Sequence, residues 1–441
     1  MSTGHRNARR GAMTRRQWLL GAAAASLVSG CGRGGSLQPG AAPPALGGRG
    51  YEGAPLELAF WNGFTGGDGT PMRELVARFN AAHPRIRVVM NAIRWDELYR
   101  KAPVAVASGK GPDVGVMHHH QLPTAAARGI VSPLDALAAE FGLQGESFLP
   151  VAWQGAVYNQ KRYGIPLDVH PLGMFFNLRA FERAGIREAP ATGEALDDAL
   201  ARLKRSGFEY PFWMPTLWPS HLIFETLLWQ FGGAPFSSDA REVTFATDAG
   251  ERAVRWMTGL YERGYSPRAV ALDSQWNAFG NGTNAITWDG IWRVNNLEGI
   301  AGGGGVAPVP RVGPHSAAWA ASHNLVLFGR PRPDAARVQA GMVFIDWISA
   351  HSLDWARAGQ VPARNDARES ASFRSLASQA TLSRQTMRLV AAGPGIGDLQ
   401  DDAILYAMDG VLHARDPRRA LEHSQALLND QLRALRAQFP T

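Results

Sequence analysis

The sequence predicts an α/β protein built on a parallel sheet, from the order of its predicted elements together with its length and its apolar content. Strand-type alternation and helix-type periodicity succeed one another from Leu56 onward. Such an order favours parallel strands joined by right-handed crossovers. The 441 residues, 45% of them hydrophobic, provide a core for two or three domains or for one large bilobal body. A disordered chain is excluded by the same apolar content.

Three strands and two helices are predicted at the start of the body. Apolar side chains that alternate predict strands, and apolar residues spaced three and four apart predict helices. The pair Thr70-Pro71 is a typical helix start, and Pro84 ends that helix. The elements are a strand from Leu56, a helix from Thr70, a strand over 86–90, a helix over 95–108 and a strand over 114–117. Ligands on such sheets bind at the carboxyl ends of the strands.

The remainder of the chain is predicted to be mostly helical, without an internal repeat. Residues 286–288 are predicted to form a strand, and the glycine-rich stretch 302–305 a loop. Further helices are predicted over 178–185, 193–206, 221–231, 248–263, 335–350 and 402–413, with a last one from Asp416-Pro417.

The first 30 residues are predicted to be an export signal. They contain five arginines and no acid, followed by an apolar run of 11 residues, whereas about 20 are needed to span a bilayer. Arg15 and Arg16 resemble the pair of a twin-arginine signal. Val28-Ser29-Gly30-Cys31 resembles a lipobox whose cysteine takes the lipid; the alternative is that Cys31 simply follows a cleavage site. Residues 31–54, rich in glycine and proline, are predicted to form a flexible tether.

The positive charge is concentrated in this leader. The whole chain carries +7; removing 1–30 leaves +2, and the balance of Arg33, Arg49 and Glu52 leaves the body (55–441) with +1. A near-neutral body argues against a nucleic-acid partner. A single cysteine excludes an intramolecular disulfide framework and a thiolate zinc cluster.

No catalytic motif is evident. The signatures of serine hydrolases, zinc metalloproteases and P-loop nucleotide-binding proteins are absent. The run from Gly280 to Ala285 matches a loose dinucleotide fingerprint but is interpreted as a turn, because no clear strand precedes it and a strand follows it. The acid pair Asp401-Asp402 adjoins a helical pattern and is interpreted as solvated or capping.

Three consecutive histidines, His118 to His120, follow the predicted buried strand. Three interpretations remain open: a solvent-facing loop, one or two members lining a ligand cleft, or a metal site. Consecutive residues point in different directions and no second ligand cluster is evident, which argues against the metal. We therefore expect neither a metal nor a cofactor.

Tryptophans form the other notable pattern, with 13 of them after Trp18 is removed with the leader. Several lie beside polar or glycine residues instead of on periodic apolar faces, as at Trp61, Trp218, Trp288, Trp292 and Trp319. Core packing explains such residues in part. Carbohydrate sites combine indole platforms with planar polar partners, and loop tryptophans beside Asp, Asn and His fit that chemistry.

Several stretches, taken in order, resemble the extracellular solute-binding proteins of ABC importers, in the sugar-binding family similar to maltose-binding protein. They are Phe60-Trp61, 107–114, 129–134, 163–177, 230–233 and 359–364. The resemblance covers nearly all of 55–441. It implies a two-lobe periplasmic-binding-protein-like fold, each lobe a mixed sheet flanked by helices, with the ligand cleft between the lobes. The first lobe is predicted to comprise 55–172 and 325–365, and the second 173–324 and 366–441.

The resemblance also implies a ligand site and a function. Asp168 and His170 fall at a hinge crossing, and the histidine run departs from the family pattern, which leaves the particular sugar open. The implied ligand-binding residues are Trp61, Phe64, Thr65, Asp68, Met117, His120, Gln121, Asp168, His170, Trp218, His221, Asp289, Trp292, Trp319 and His323.

The implied protein is a monomeric substrate-binding lipoprotein and not an enzyme. It would be anchored to the outer face of the cytoplasmic membrane and would deliver a mono- or oligosaccharide to an ABC permease and its ATPase. Three alternatives remain: the same fold binding glycerol phosphate, a polyol or another small polar solute; an exported carbohydrate-active enzyme; and a surface sensor subunit.

Overall fold

A computed structural model of the chain describes residue 46 and residues 48–439. The predicted signal 1–30, with Arg15 and Arg16, and the predicted lipidation site Cys31 lie outside the described residues. The described end of the predicted tether lies on the body: the side chain of Glu140 accepts hydrogen bonds from the backbone N–H groups of Leu46 and Gly48. Among the described residues, no helix combines the length and hydropathy that crossing a bilayer requires.

The described residues form thirteen strands. They are β1 (Leu56–Asn62), β2 (Ile86–Ala92), β3 (Val114–His118), β4 (Val157–Tyr158), β5 (Lys161–Arg162), β6 (Ile165–Pro166), β7 (Asp168–Asn177), β8 (Ile286–Gly290), β9 (Gly304–Ala307), β10 (Ala318–Ala321), β11 (His323–Leu327), β12 (Val361–Pro362) and β13 (Met387–Arg388).

The α-helices lie mostly between and after these strands. They are α1 (Gly69–Ala82), α2 (Trp95–Ala107), α3 (Leu122–Ala127), α4 (Asp135–Glu140), α5 (Pro150–Gly155), α6 (Leu178–Arg183), α7 (Gly193–Arg205), α8 (Ser220–Gln230), α9 (Asp248–Glu262), α10 (Ser274–Gly280), α11 (Ala335–Ala350), α12 (Ser352–Ala356), α13 (Asn365–Glu369), α14 (Ala371–Arg374), α15 (Ala377–Leu382), α16 (Ile396–Asp398), α17 (Ile404–Leu412) and α18 (Pro417–Arg436).

Helix starts follow their cap chemistry. Thr192, Thr247 and Asp416 each accept a hydrogen bond from the backbone N–H three residues later, at the starts of α7, α9 and α18. A capping side chain satisfies a donor that the helix cannot pair internally. In α18, Leu421, Leu428 and Leu432 are buried and Leu435 is half-buried, as the periodicity predicts.

Two sheets carry the body. The first has the strand order β2-β1-β3-β11-β6, with β1 parallel to β2 and β3 and with β11 antiparallel to β3 and β6. The second is centred on β7, which pairs antiparallel with β8, β9, β10 and β12, while β13 runs parallel to β10. The predicted parallel unit is confirmed, and the antiparallel strands make both sheets mixed.

Each sheet has its own main core. Phe60, Phe79 and Phe344 are fully buried in the cluster against the first sheet. Phe224 and Trp288 are fully buried in the cluster against the second. Two cores around two sheets are the two lobes of the predicted fold class, which is confirmed. The residue limits given above for the lobes stay a prediction.

One element differs from the sequence-based expectation, and one interpretation is confirmed. Gly304 and Gly305, predicted to lie in a loop, begin β9 and pair with Asn177 and Phe176 of β7. A Cβ on Gly305 would lie 2.5 Å from the Phe176 ring, so close packing requires glycine there. Because a run of glycines has no alternating apolar side chains, the sequence does not show the strand. The run after Gly280 is a turn between α10 and β8, as interpreted.

Candidate functional site

The site lies where the chain passes between the two sheets. Strand β6 ends at Pro166 in the first sheet and β7 begins at Asp168 in the second; β10 ends at Ala321 in the second and β11 begins at His323 in the first. The backbone N–H of Leu167 donates a 2.8 Å hydrogen bond to the carbonyl of His323. The two crossings are therefore held side by side, and they bring together polar residues that are far apart in the chain.

Asp168 is the hub of these crossings. Its carboxylate is fully buried and accepts hydrogen bonds from Nδ1 of His170 at 3.0 Å and Nδ1 of His323 at 2.9 Å. It also accepts from the indole Nε1 of Trp355 at 2.6 Å. Burial raises the pKa of Asp168, but the attraction of His323 and the bonds from both histidines outweigh burial and hold this pKa below its ordinary value. Asp168 is therefore an ionised, fully engaged carboxylate.

The histidine run is an inward-facing segment after β3. His119 and His120 are buried and His118 is half-buried, so the interpretation as a solvent-facing loop is wrong. His118 Nδ1 lies 2.6 Å from the hydroxyl of Tyr99, and Nε2 of His119 lies 3.3 Å from the carbonyl oxygen of Val390. Burial lowers the pKa of His118 and of His119 well below the ordinary value, and neighbouring histidines lower both further. These two rings are neutral at physiological pH.

A second segment, residues 390–401, closes over the histidine run from the other lobe. Asp401 lies 2.9 Å from Nε2 of His120 and accepts a 2.7 Å hydrogen bond from Nε2 of Gln121. The backbone N–H of Gly395 donates to the hydroxyl of Thr124 at 2.9 Å. The interpretation of Asp401 as a solvated or capping residue is therefore incomplete: its side chain is 39% exposed but also binds His120 and Gln121.

Aromatic rings line the second-lobe side. The rings of Trp292 and Trp319 each lie 6.1 Å from that of His170, measured between centroids. The Trp218 ring lies 6.1 Å from Trp292 and 5.2 Å from His221. Burial lowers the pKa of His221 to about 3, so its ring is neutral. Trp218 and Trp292 are only half-buried, which leaves ring surface available to a ligand.

The first-lobe side is formed by another aromatic group. Phe64 is fully buried and meets His323 edge-on, with 5.0 Å between centroids. Trp95, which the sequence did not single out, stacks on His323 at 5.3 Å and 13° between planes. Burial raises the pKa of Asp68, which also feels the charges of His323 and Asp168. These residues confine the His323 ring from two sides.

Four of the predicted site residues have other surroundings. Trp61 and Met117 pack into an apolar cluster with Leu98, behind β3. Thr65 is exposed. Asp289 is fully buried and contacts Arg293 at 3.3 Å; burial raises its pKa although Arg293 opposes this.

Several polar atoms at the site have no hydrogen-bond partner among the described residues. They include Nε1 of Trp319, Nδ1 of His221 and Nδ1 of His120. A buried polar group left unpaired costs about 1–3 kcal/mol. The site therefore offers donors and acceptors to a ligand, next to the aromatic faces.

Glu225 is a buried acid that sequence reasoning missed. It lies on α8 and accepts a 3.1 Å hydrogen bond from Nε2 of Gln400. Burial raises its pKa to about 8, against the opposing effect of that bond. One reason explains why the sequence did not single out four residues of the site, Trp95, Tyr99, Glu225 and Asp401. Each lies in or beside a helical pattern, and nothing in such a pattern tells whether an isolated polar or aromatic residue belongs to a binding site, to the surface or to the core.

The comparisons with known proteins agree with this architecture. Residues 65–351 match the model of the family described as bacterial extracellular solute-binding protein. The chain belongs to that family.

Relatives and solved structures extend the comparison. A protein of Brucella abortus named as a binding protein is 30% identical over 143 residues, 32% of this chain and 34% of its own length. The maltotriose-binding protein of Pyrococcus abyssi is 21% identical over 258 residues, 58% of this chain and 54% of its own. The chain thus spans about a third of the length of the Brucella relative.

The fold itself is similar to that of UgpB from Mycobacterium tuberculosis, solved in complex with glycerophosphocholine. The TM-score is 0.75 at 21% sequence identity, covering 87% of this chain and 99% of that one. At that identity the likeness concerns the fold alone.

Proposed function

We propose that the chain is an exported substrate-binding lipoprotein that captures a carbohydrate between its lobes and delivers it to the permease of an ABC importer. One observation carries the proposal. Nδ1 of His221 is unpaired among the described residues and belongs to a ring 5.2 Å from that of Trp218. Nε1 of Trp319 is also unpaired, and the Trp319 and Trp292 rings both lie 6.1 Å from that of His170. A sugar has both the C–H faces that stack on indole and the hydroxyls that would pair with these atoms.

Capture depends on closure of the two lobes. The bonds from His120 and Gln121 to Asp401 join residues after β3 to a segment whose Leu399 packs in the core of the second lobe. A ligand that contacts both lobes only when they are closed shifts the population toward the closed form. The closed form is then the one that docks on the permease. We propose that the protein does this as a monomer.

The main alternative keeps the fold and changes the ligand to glycerol phosphate, a glycerophosphodiester or a polyol. It is favoured by the likeness to UgpB, whose structure contains glycerophosphocholine. A phosphate group is best held by paired arginine or lysine side chains. Arg293, next to Trp292 in the chain, is already paired with Asp273 at 2.7 Å and Asp289 at 3.3 Å. The carbohydrate relative from Pyrococcus and the neutral rings at the site favour the sugar.

The rival from another class is an exported glycan-cleaving enzyme. It would need two carboxyl groups about 5–9.5 Å apart, one of them free to donate or attack. Asp168 is fully engaged by two histidines and Trp355, which leaves it unsuited to either role. We therefore propose binding without chemistry; release of reducing ends from a glycan by the purified chain would overturn this.

Export and anchoring rest on residues 1–31. Arg15, Arg16 and the lipobox ending at Cys31 support export followed by lipidation on the outer face of the membrane. Two acyl chains on the modified cysteine would give stable anchoring. Cys31→Ala is expected to move the protein from the membrane to the soluble fraction. If Cys31→Ala remained in the membrane fraction, the lipid anchor would be wrong.

Tryptophan emission tests carbohydrate capture. Sugars ranging from monosaccharides to short oligosaccharides are titrated into the purified chain while the emission maximum and intensity are followed. At least one sugar is expected to give a saturable change, because Trp218 and Trp292 keep accessible ring surface. A flat response across the panel, together with a saturable response to glycerol 3-phosphate, would favour the alternative ligand.

A further inference from the structure

Three histidines from three different strands converge beside the ligand site. His118 ends β3, His170 lies on β7 and His323 begins β11. One ring nitrogen from each can be chosen so that all three atoms lie within 4.8 Å of one another. The centroids of His170 and His323 are 4.1 Å apart, and those of His118 and His323 are 4.8 Å apart.

In each ring the same nitrogen already has a partner. Nδ1 of His170 and Nδ1 of His323 both donate to Asp168. Nδ1 of His118 lies 2.6 Å from the Tyr99 hydroxyl. That oxygen accepts a 3.1 Å hydrogen bond from the backbone N–H of His118 and has a second lone pair for an Nδ1–H. Nε2 of all three makes no hydrogen bond to the described residues. A histidine whose Nδ1–H is held by a carboxylate or other acceptor presents the Nε2 lone pair, the arrangement that metal-binding histidines use.

The surroundings of the three rings also suit a cation. Asp168 contributes one negative charge behind two of the ligands. The surrounding Trp95 and Phe64 rings hold the His323 ring in place.

We propose that His118, His170 and His323 form a binding site for Zn²⁺ or a similar divalent transition metal. Three imidazoles with one open position are a known zinc arrangement, with the fourth position taken by water or a ligand oxygen. Zn–N bonds of about 2.0–2.1 Å in a tetrahedral site put the nitrogens about 3.4 Å apart. One nitrogen of each ring already lies within 4.8 Å of the others, so small ring movements bring the three side chains onto one ion. The sequence argued against a metal because the consecutive histidines 118–120 cannot all face one ion; here only His118 of that run takes part.

The inference does not rest on the proposed transport function, because metal binding is measured without any sugar. The purified full chain, carrying no histidine tag, is stripped with a chelator and dialysed against Zn²⁺, and bound zinc is counted by elemental analysis. One zinc per chain is expected, with a rise in melting temperature, since an ion that binds only the native state stabilises it. A chain that binds no stoichiometric zinc would overturn the proposal.

Variants locate the site. His118→Gln removes one of the three ligands. Loss of a residue that only supports a ligand can weaken metal binding about 100-fold, so loss of the ligand itself is expected to weaken zinc binding by at least that factor. His413→Gln, which changes an exposed histidine, is the matched control and should bind zinc as the parent does. Equal affinity in His118→Gln and the parent would place the zinc elsewhere and overturn the proposal.

A second variant keeps all three ligands. Tyr99→Phe removes only the hydroxyl beside His118 Nδ1 and should weaken zinc binding about 10- to 100-fold. If His118→Gln lacks the near-ultraviolet circular dichroism of the parent, that variant is misfolded, and zinc binding by Tyr99→Phe becomes the deciding measurement. Unchanged zinc affinity in a folded Tyr99→Phe chain would contradict the site.

Discussion

Oδ1 of Asp401 lies 2.9 Å from Nε2 of His120, a residue 281 positions earlier in the chain. Its other oxygen accepts a 2.7 Å hydrogen bond from Gln121. His120 follows the third strand of the first sheet, whereas Leu399 and Ile404, on either side of Asp401, are buried in the second-lobe core. This carboxylate therefore joins the two sides of the cleft.

Asp401→Ala is expected to weaken ligand affinity about 10- to 100-fold, because hydrogen bonds to a charged group contribute about 1.5–3 kcal/mol. The loss should also favour the open form, which small-angle scattering of the ligand-free chain detects as a larger radius of gyration. Asp402→Ala, at the exposed neighbouring position, is the control and should behave as the parent. Identical scattering and affinity in all three proteins would contradict a role of Asp401 in closure.

Asp168→Asn is expected to reduce the free energy of unfolding by about 3–5 kcal/mol, since it breaks a buried charged network. The folded-state pKa of Asp168 lies below the ordinary 3.8, so its contribution is present above that pH and is lost as the pH falls. Urea unfolding at pH 7 and at about pH 3, which lies below the ordinary pKa of 3.8, measures both effects. Asp239→Asn, in an exposed ion pair with Arg241, should cost less than about 1 kcal/mol. An equally small reduction of the free energy of unfolding in Asp168→Asn would contradict the role of Asp168 as the centre of the buried network.

Glu225→Gln is expected to abolish one part of the pH dependence of stability. The folded-state pKa of Glu225 is about 8, against 4.5 for the free side chain. Folding thus favours its neutral form, and this stabilising effect is complete below pH 4.5 and is lost as the pH rises through 8. Between pH 4.5 and pH 8 the free energy of unfolding of the parent should fall by on the order of 4 kcal/mol through this effect, and that of Glu225→Gln should not.

Urea unfolding from pH 5 to pH 8 measures this difference. Glu262→Gln changes an exposed glutamate on α9 and serves as the matched control, with the pH profile of the parent. Parallel profiles for the parent and Glu225→Gln would show that Glu225 is not the buried neutral acid described here.

Trp292→Ala is expected to weaken sugar binding about 10- to 30-fold, the loss typical of removing an aromatic residue that anchors a ligand. It should also remove part of the emission change on titration. Trp347→Ala alters a half-buried tryptophan of the first lobe that contacts Phe79 and His351 and should leave sugar affinity unchanged. Equal affinity loss in both variants would point to general destabilisation instead of a platform at Trp292.

The longer elements were predictable because their side-chain periods are local. The helix predicted over 248–263 is α9 (Asp248–Glu262), and the strand predicted at 286–288 is β8. The short helices α13 to α15, of four to six residues each, contain too few residues for a period to be read.

The candidate site was predictable only in part, for a different reason. The resemblance named Asp168, His170 and His323, which the structure brings together at the crossings. The burial of His120 depends on Asp401 and the segment before it, and pairings across that length of chain have no signature in a single sequence. For the same reason the convergence of His118 with His170 and His323 could not be read from the run of three.

The most direct test of carbohydrate capture is a thermal-shift series on the purified full chain. Mono- and oligosaccharides are compared with glycerol 3-phosphate and glycerophosphocholine at matched concentrations, because a ligand that binds only the native state must raise its melting temperature. The expectation for a carbohydrate-binding protein is a rise with at least one carbohydrate and none with the two phosphate compounds. A rise with a phosphate compound and none with any sugar would contradict it.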